Sequence, residues 1–373
     1  MRHRIRYRRI TAPDAVVPGE ASPSTVALAS YTVKGRVQVV TCSPDEVLRV
    51  WDADTGALLV GPFQALPETS RLAFLDDPAR CLVCLEIDGE PRLASSFNID
   101  SVQLWDPEEG QLVRHPLQLD DSAEPVAAVL QLDIPGGSRL AVAQGSSIHL
   151  LDAATGEPAA SPLSADDHRI VALEPLVSSS GETLLVAGSS DGAVRAWRPA
   201  EGEQVGQTFQ ASPGFSALLP FIPDGGGIAV AVLDQDLECW SLETGSLLHR
   251  WETNWNAAVT DLPGVGPVAV RLDSGGRATL WQVRQGQELV TLSTEPGSGL
   301  RSAFPVGEHL ALDFRDRIEL WEPHSWRRVT TVSPLRPGSA SEVADVLSLL
   351  SLPDGRLALG LEDGWAVVDF THA

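Results

Sequence analysis

Apolar residues along this chain come in short runs of four to seven, rich in Val, Leu and Ile and bounded by Pro, Gly, Asp or Ser. RLAFL, CLVCLEI, RLAVAQ, TLLVAG, GIAVAVL, PVAVRL, HLALDF and RLALGL are examples, and such runs read as β-strands. No stretch sustains the period of a helix, so helices are not expected. One kind of run recurs. It ends in Trp or its equivalent, usually before a polar residue: VLRVWD, SVQLWD, IHLLD, VRAWR, LECWS, ATLWQ and IELWE. The anchors are Trp51, Trp105, Leu151, Trp197, Trp240, Trp281 and Trp321, at spacings of 54, 46, 46, 43, 41 and 40 residues. A degenerate eighth copy, WAVVDF, lies near Val368 and Asp369.

A second marker is locked to the first. Five residues after each of the first six anchors stands a glycine: Gly56, Gly110, Gly156, Gly202, Gly245 and Gly286. A residue closing a tight turn there needs positive φ, which glycine adopts without a Cβ clash. Trp326 holds the seventh slot, which predicts a differently built turn. Each unit then has three strands before the turn and one after it, with the anchor on the third. Four strands per ~45 residues is the arithmetic of a propeller blade. Eight copies between residues 26 and 370 favour eight blades over seven in one domain, 1–373. The last copy has no room for a fourth strand. In Arg4-Ile5-Arg6-Tyr7-Arg8 the side chains alternate, so residues 3–10 are expected to close the ring as the outermost strand of the final blade. The anchor tryptophans are expected to fill the wedges between neighbouring sheets, with Leu151 making a looser contact.

These residues resemble the WD-repeat family over about 26–370. LLVAGSSDGAVRAW, residues 184–197, is similar to the family's hairpin between second and third strands. The resemblance places Ser189, Asp191 and Trp197 in the family's structural hydrogen-bond tetrad, with His168 where the family's His lies. Ser43, Asp45 and Trp51 keep the same spacing in blade one. No Gly-His pair occurs, and Val232, Gly275 and Arg315 stand where polar tetrad members are expected, so the pattern is divergent.

Composition narrows the function. The 373 residues carry 27 basic and 50 acidic side chains, a net charge of −23. That balance disfavours nucleic acid or an anionic membrane as partner and suits a basic one. A single lysine against 26 arginines fits a GC-rich bacterial genome. No apolar stretch follows the basic start MRHRIRYRRI, which reads as cytoplasmic rather than secreted. Cys42, Cys81, Cys84 and Cys239 do not make a disulfide framework. Cys81 and Cys84 form a CxxC, but within one strand residues three apart point to opposite faces, which argues against shared metal binding. The eight histidines do not recur at one blade position, and no nucleophile elbow or phosphate-binding loop is present. Gly225-Gly226-Gly227 reads as a turn. No catalytic residue, cofactor or metal is expected.

Loops joining one blade to the next carry Asp120 and Asp121, then Asp166, Asp167 and His168, then Phe215, then Asn254 and Trp255. The wide first spacing places an insertion at Gly89–Asp100 with Phe97 projecting. The expected function is a non-catalytic scaffold, monomeric by itself. It would bind a protein or peptide through an acidic loop rim: Trp255, Asn254, Asp166, Asp167, Phe97, Asp120 and Asp121. Two alternatives remain: a propeller hydrolase or lactonase with a channel metal, and a sensor subunit for a separately encoded effector.

Overall fold

A computed structural model describes residues 6–10, 25–44, 47–64, 81–96, 101–113, 117–119, 124, 126–224, 226–252, 257–295, 299–314, 316–334, 346–362 and 364–370; Arg6–Ile10, Cys81 and Gln118 are described by backbone alone. Every regular element among them is a strand, and none is a helix. The strands form eight antiparallel sheets, the architecture of an eight-bladed β-propeller.

The chain divides into two units, residues 1–126 with 332–373, and residues 127–331. The first unit holds β1 (Arg6–Ile10), then blade one: β2 (Ala27–Val33), β3 (Arg36–Cys42), β4 (Val47–Asp52) and β5 (Leu58–Gln64). Blade two follows with β6 (Cys81–Ile87), β7 (Glu90–Ser96), β8 (Ser101–Asp106) and a fourth strand in two pieces, β9 (Gln111–Leu112) and β10 (Leu117–Gln118). In the second unit, blade three comprises β11 (Val126–Ile134), β12 (Gly137–Gln144), β13 (Ser147–Asp152) and β14 (Leu163–Ser164). Blade four is β15 (Ile170–Val177), β16 (Thr183–Ser189), β17 (Ala193–Arg198) and β18 (Glu203–Gln210). Blade five is β19 (Ala217–Phe221), β20 (Ala229–Leu233), β21 (Asp236–Ser241) and β22 (Leu247–Glu252). Blade six is β23 (Ala257–Leu262), β24 (Gly266–Leu272), β25 (Arg277–Gln282) and β26 (Gln287–Ser293). Blade seven is β27 (Leu300–Val306), β28 (His309–Phe314), β29 (Ile318–Glu322) and β30 (Arg327–Val332). Blade eight returns to the first unit with β31 (Val346–Ser351), β32 (Leu357–Leu361) and β33 (Gly364–Asp369).

β1 completes blade eight as its outermost strand. It runs antiparallel to β33, with Arg6 opposite Asp369 and Ile10 opposite Trp365. This is the closing strand the alternation predicts, within the described part of 3–10.

The turn glycines all behave alike. Each donates its N–H to the residue after the anchor: Gly56 to Asp52 at 2.8 Å, Gly110 to Asp106 at 2.8 Å, Gly156 to Asp152 at 2.6 Å, Gly202 to Arg198 at 2.8 Å, Gly245 to Ser241 at 2.9 Å and Gly286 to Gln282 at 2.9 Å. Their φ values lie between 66° and 72°. Trp326 corrects the expectation of a different turn: it donates to Glu322 at 2.7 Å with φ of 52°. Left-handed backbone is costly for a side-chain-bearing residue. Trp326 offsets that cost by packing on the cluster that joins blades six and seven, as does Val290 of β26. Three of the glycine turns rest closely on the preceding blade's outer strand. A Cβ on Gly110 would lie 2.9 Å from Val60, on Gly245 3.1 Å from Gln207, and on Gly286 3.4 Å from His249. In blades one, two and three the aspartate after the anchor also caps the turn: Asp52, Asp106 and Asp152 each accept from two backbone N–H groups through Oδ1.

The anchors fill wedges toward the preceding blade. Trp51 packs with Ala358, Trp365 and Val367 of blade eight, Trp105 with Val40 and Leu48 of blade one, Trp197 with Ala141 and Ile148 of blade three, and Trp321 with Leu262 and Leu280 of blade six. Trp240 is half-buried and stacks on Phe209 at 5.0 Å, and half-buried Trp281 lies under the Arg271 guanidinium at 5.2 Å. Where the indole N–H of a buried anchor finds a hydroxyl, it is one diagonal step along the second strand. Trp51 donates to Thr41 and Trp105 to Ser95, both at 2.9 Å. Leu310 stands opposite Trp321, so the same diagonal position holds Leu312, and the Trp321 Nε1 is buried with no partner among the described residues.

One strand assignment changes. The described part of the expected insertion Gly89–Asp100, residues 89–96, is not a loop. Asp88 and Gly89 make a left-handed hairpin turn, and Glu90–Ser96 is β7, paired with β6 along its length. CLVCLEI is thus the first strand of blade two. Glu90, Arg92, Ser95 and Ser96 dilute the apolar signal of β7, which is why the pattern misses it. The surplus residues fall between Gln64 and Cys81, outside the described residues together with RLAFL.

Candidate interaction surface

Blade four carries the part of the expected rim that the structure describes. The segment 165–169 joins β14 to β15, and Asp166 takes a left-handed φ of 61° there. Its carboxylate pairs with Arg195 of β17, which also donates to the Ala165 carbonyl. Asp166, Asp167, His168 and Arg169 are all exposed. His168 Nε2 lies 3.6 Å from Asp191 Oδ2, a contact between two of the expected tetrad positions. Partial burial opposes ionisation of Asp191, but the Ala193 N–H, the Ser189 hydroxyl and His168 outweigh it and hold the carboxyl below its usual range. Ser189 itself donates to the Ala193 carbonyl at 2.9 Å, and Ser43 to Val47 at 3.1 Å. These serines therefore pin the hairpin, while Thr41 and Ser95 do the indole-binding work assigned to the serine position. Asp166 is thus paired with Arg195 and Asp191 lies beside His168, while Asp167 and Arg169 are exposed in the same loop.

Phe215, expected on the rim, is a core residue. It is 7 % exposed and sits over Gly188, where a Cβ would come within 2.1 Å of its ring. Phe97, Asp120, Asp121, Asn254 and Trp255, with Asp45 and Arg315, lie outside the described residues.

The outer strands show a feature the sequence reading missed. Opposite the anchors of blades one, five and six, the fourth strand carries one extra residue, Leu59, Leu248 and Leu289. Such a bulge turns its side chain away from the ladder. The three leucines are 46 %, 44 % and 38 % exposed, joined by Leu247 and by Val113 of blade two. The signal was present in the chain, since an aliphatic residue stands three places after the turn residue in all seven copies: Leu59, Val113, Ala159, Val205, Leu248, Leu289 and Val329. Blades five and six are consecutive, so Leu247, Leu248 and Leu289 lie on the outer strands of two successive blades of the second unit. β22 leads directly into the segment holding Asn254 and Trp255.

Charge is concentrated elsewhere, in blade seven. Arg317 pairs with fully buried Glu319 at 2.8 Å, touches Asp316 and the Glu295 carbonyl, and covers the Phe314 ring at 4.1 Å. Asp313 accepts from the Ser302 hydroxyl at 3.3 Å and faces Arg301 at 3.8 Å, yet burial pushes its carboxyl up to about 6. Each buried charge is held by neighbours, the arrangement of a structural network. Cys84 is a free thiol that burial pushes up to about 12. No grouping of three or more His, Cys, Asp or Glu among the described residues could hold a metal ion. No helix there is long and apolar enough to cross a membrane.

No family model and no curated protein matches the chain. Among solved structures it is similar to the crystal structure of the computationally designed Ika8 protein. The TM-score is 0.65 at 20 % identity, over 94 % of this chain and 97 % of that one. At that identity the likeness shows the fold alone.

Proposed function

We propose that this protein is a non-catalytic interaction scaffold, a divergent WD-repeat-like propeller of a bacterial cytoplasm that holds a protein or peptide partner. The reading is carried by the exposed leucines on consecutive outer strands, Leu247 and Leu248 of β22 and Leu289 of β26. Clustered exposed aliphatics beside an open strand edge are the composition of a docking surface. Trp255, just beyond β22, would supply the aromatic anchor that binding hot spots favour. The net charge of −23 would steer a basic partner, with Asp167 among the exposed carboxylates.

Affinity capture from native lysate tests this with wild type, Leu248→Asp, Leu289→Asp and Trp255→Ala. A hot-spot loss of about 2 kcal/mol, or roughly 30-fold in affinity, should remove the specific partner from the variants. Association should slow as salt rises. An unchanged set of captured proteins refutes the surface.

A further inference from the structure

We propose that the edge of β33 on which β1 lies is an exchangeable strand-accepting site, and that its second occupant is the Arg6–Ile10 strand of another copy of this chain. The proposal stands apart from the partner surface above. β1 is the last strand of its sheet, bonded to β33 on one side, and its register runs from Arg6 opposite Asp369 to Ile10 opposite Trp365. The chain beyond it is fixed to the same blade a second time. The Thr25 N–H donates to the Leu361 carbonyl at 2.8 Å, and the Ser348 hydroxyl to the Thr25 carbonyl at 3.4 Å. Two or three strand spacings, about 10–15 Å, separate β1 from that second attachment. The residues between Ile10 and Thr25 number 14 (25 − 10 − 1), and a chain of that length reaches about 45–50 Å when extended.

β1 can therefore leave β33 without pulling on Thr25, and the same length of chain reaches a neighbouring molecule. A swapped strand makes the ladder it made at home, so exchange is a contest of concentrations. A linker of this class sets an effective concentration in the millimolar range, which keeps the dilute protein self-closed and lets crowded copies trade strands. Charge favours capture. The first ten residues carry five arginines, leaving 22 basic and 50 acidic residues in the remainder, a charge of −28.

Cysteine trapping in the full-length protein tests the exchange. Arg6→Cys and Asp369→Cys on one chain should close their own disulfide. Mixed as separate single variants under oxidation, they should give a disulfide-linked dimer whose yield rises about tenfold with each tenfold rise in concentration. Lys34→Cys, on the exposed hairpin of blade one, replaces Asp369→Cys as the control and should give only background adduct. Dimer at the control level, while the double variant closes normally, overturns the exchange. A double variant that folds but does not close overturns the register and the proposal with it.

Discussion

Trp51→Phe and Trp321→Phe form a matched pair that isolates one hydrogen bond. The two indoles are 4 % and 5 % exposed, so either truncation removes a similar apolar area and opens a similar cavity, costing about 1–2 kcal/mol. In blade one the change also removes the bond to Thr41, worth about 1 kcal/mol net. In blade seven it deletes a buried donor with no partner among the described residues, recovering about 1–3 kcal/mol. Trp51→Phe should thus be the more destabilising by about 2–4 kcal/mol. A chain of 373 residues has an unfolding entropy near 0.8 kcal/mol/K, which turns that gap into roughly 3–5 °C in Tm. The Trp51–Trp365 ring contact adds up to about 1 kcal/mol in the same direction. Thr41→Val, measured with Trp51 and again with Phe there, separates the two contributions and should show a coupling of about 1 kcal/mol. Urea and thermal melts followed by circular dichroism read all of these. Equal losses in the matched pair, or zero coupling to Thr41, refute the argument that the diagonal hydroxyl stabilises the anchor.

Two further outcomes follow from buried contacts. Asp313 has a folded pKa raised to about 6, so its ionised form destabilises the fold; the penalty is absent below the unfolded value near 3.9 and complete above about 6. Asp313→Asn should raise stability at pH 7.5 by up to ~3 kcal/mol and lose that gain by pH 4, in urea melts at both; a pH-independent effect contradicts the cause. Gly188→Ala drives a Cβ to 2.1 Å from the Phe215 ring and should cost about 1–3 kcal/mol, whereas in a Phe215→Ala background it should cost almost nothing. Additive losses in that cycle mean Phe215 does not occupy the space above Gly188.

The features readable in the chain were those with a fixed offset. The turn glycines, the anchors and the closing strand all followed from spacing, because one backbone geometry recurs in each blade. What recurs as a shape but not as a residue type was lost. The Trp326 turn matches its six counterparts in hydrogen bond and sign of φ, yet its composition hid it. Thr41 and Ser95 were missed because diagonal partners depend on cross-strand register, which one strand's sequence does not state. β7 was read as a loop since its interior alternation is broken by Arg92 and two serines. Phe215 looked like a rim residue because only the fold shows that Gly188 leaves a hollow for it. The bulged leucines were legible as a three-residue offset from the turn, but their exposure is set by the bulge and not by their chemistry.

In blades two, five, six and seven, the turn comes to rest on the outer strand of the blade made immediately before it. During synthesis at about 5–20 residues per second, each of these blades therefore leaves the ribosome onto a neighbour that is already formed. Blade one and β1 differ, since both pack on blade eight. Trp365 follows Ile10 by 355 residues (365 − 10), so β1 waits roughly 20–70 s for its mate. Over that interval the nascent protein carries an arginine-rich segment, able to sample neighbouring polypeptides on the same polysome before blade eight exists.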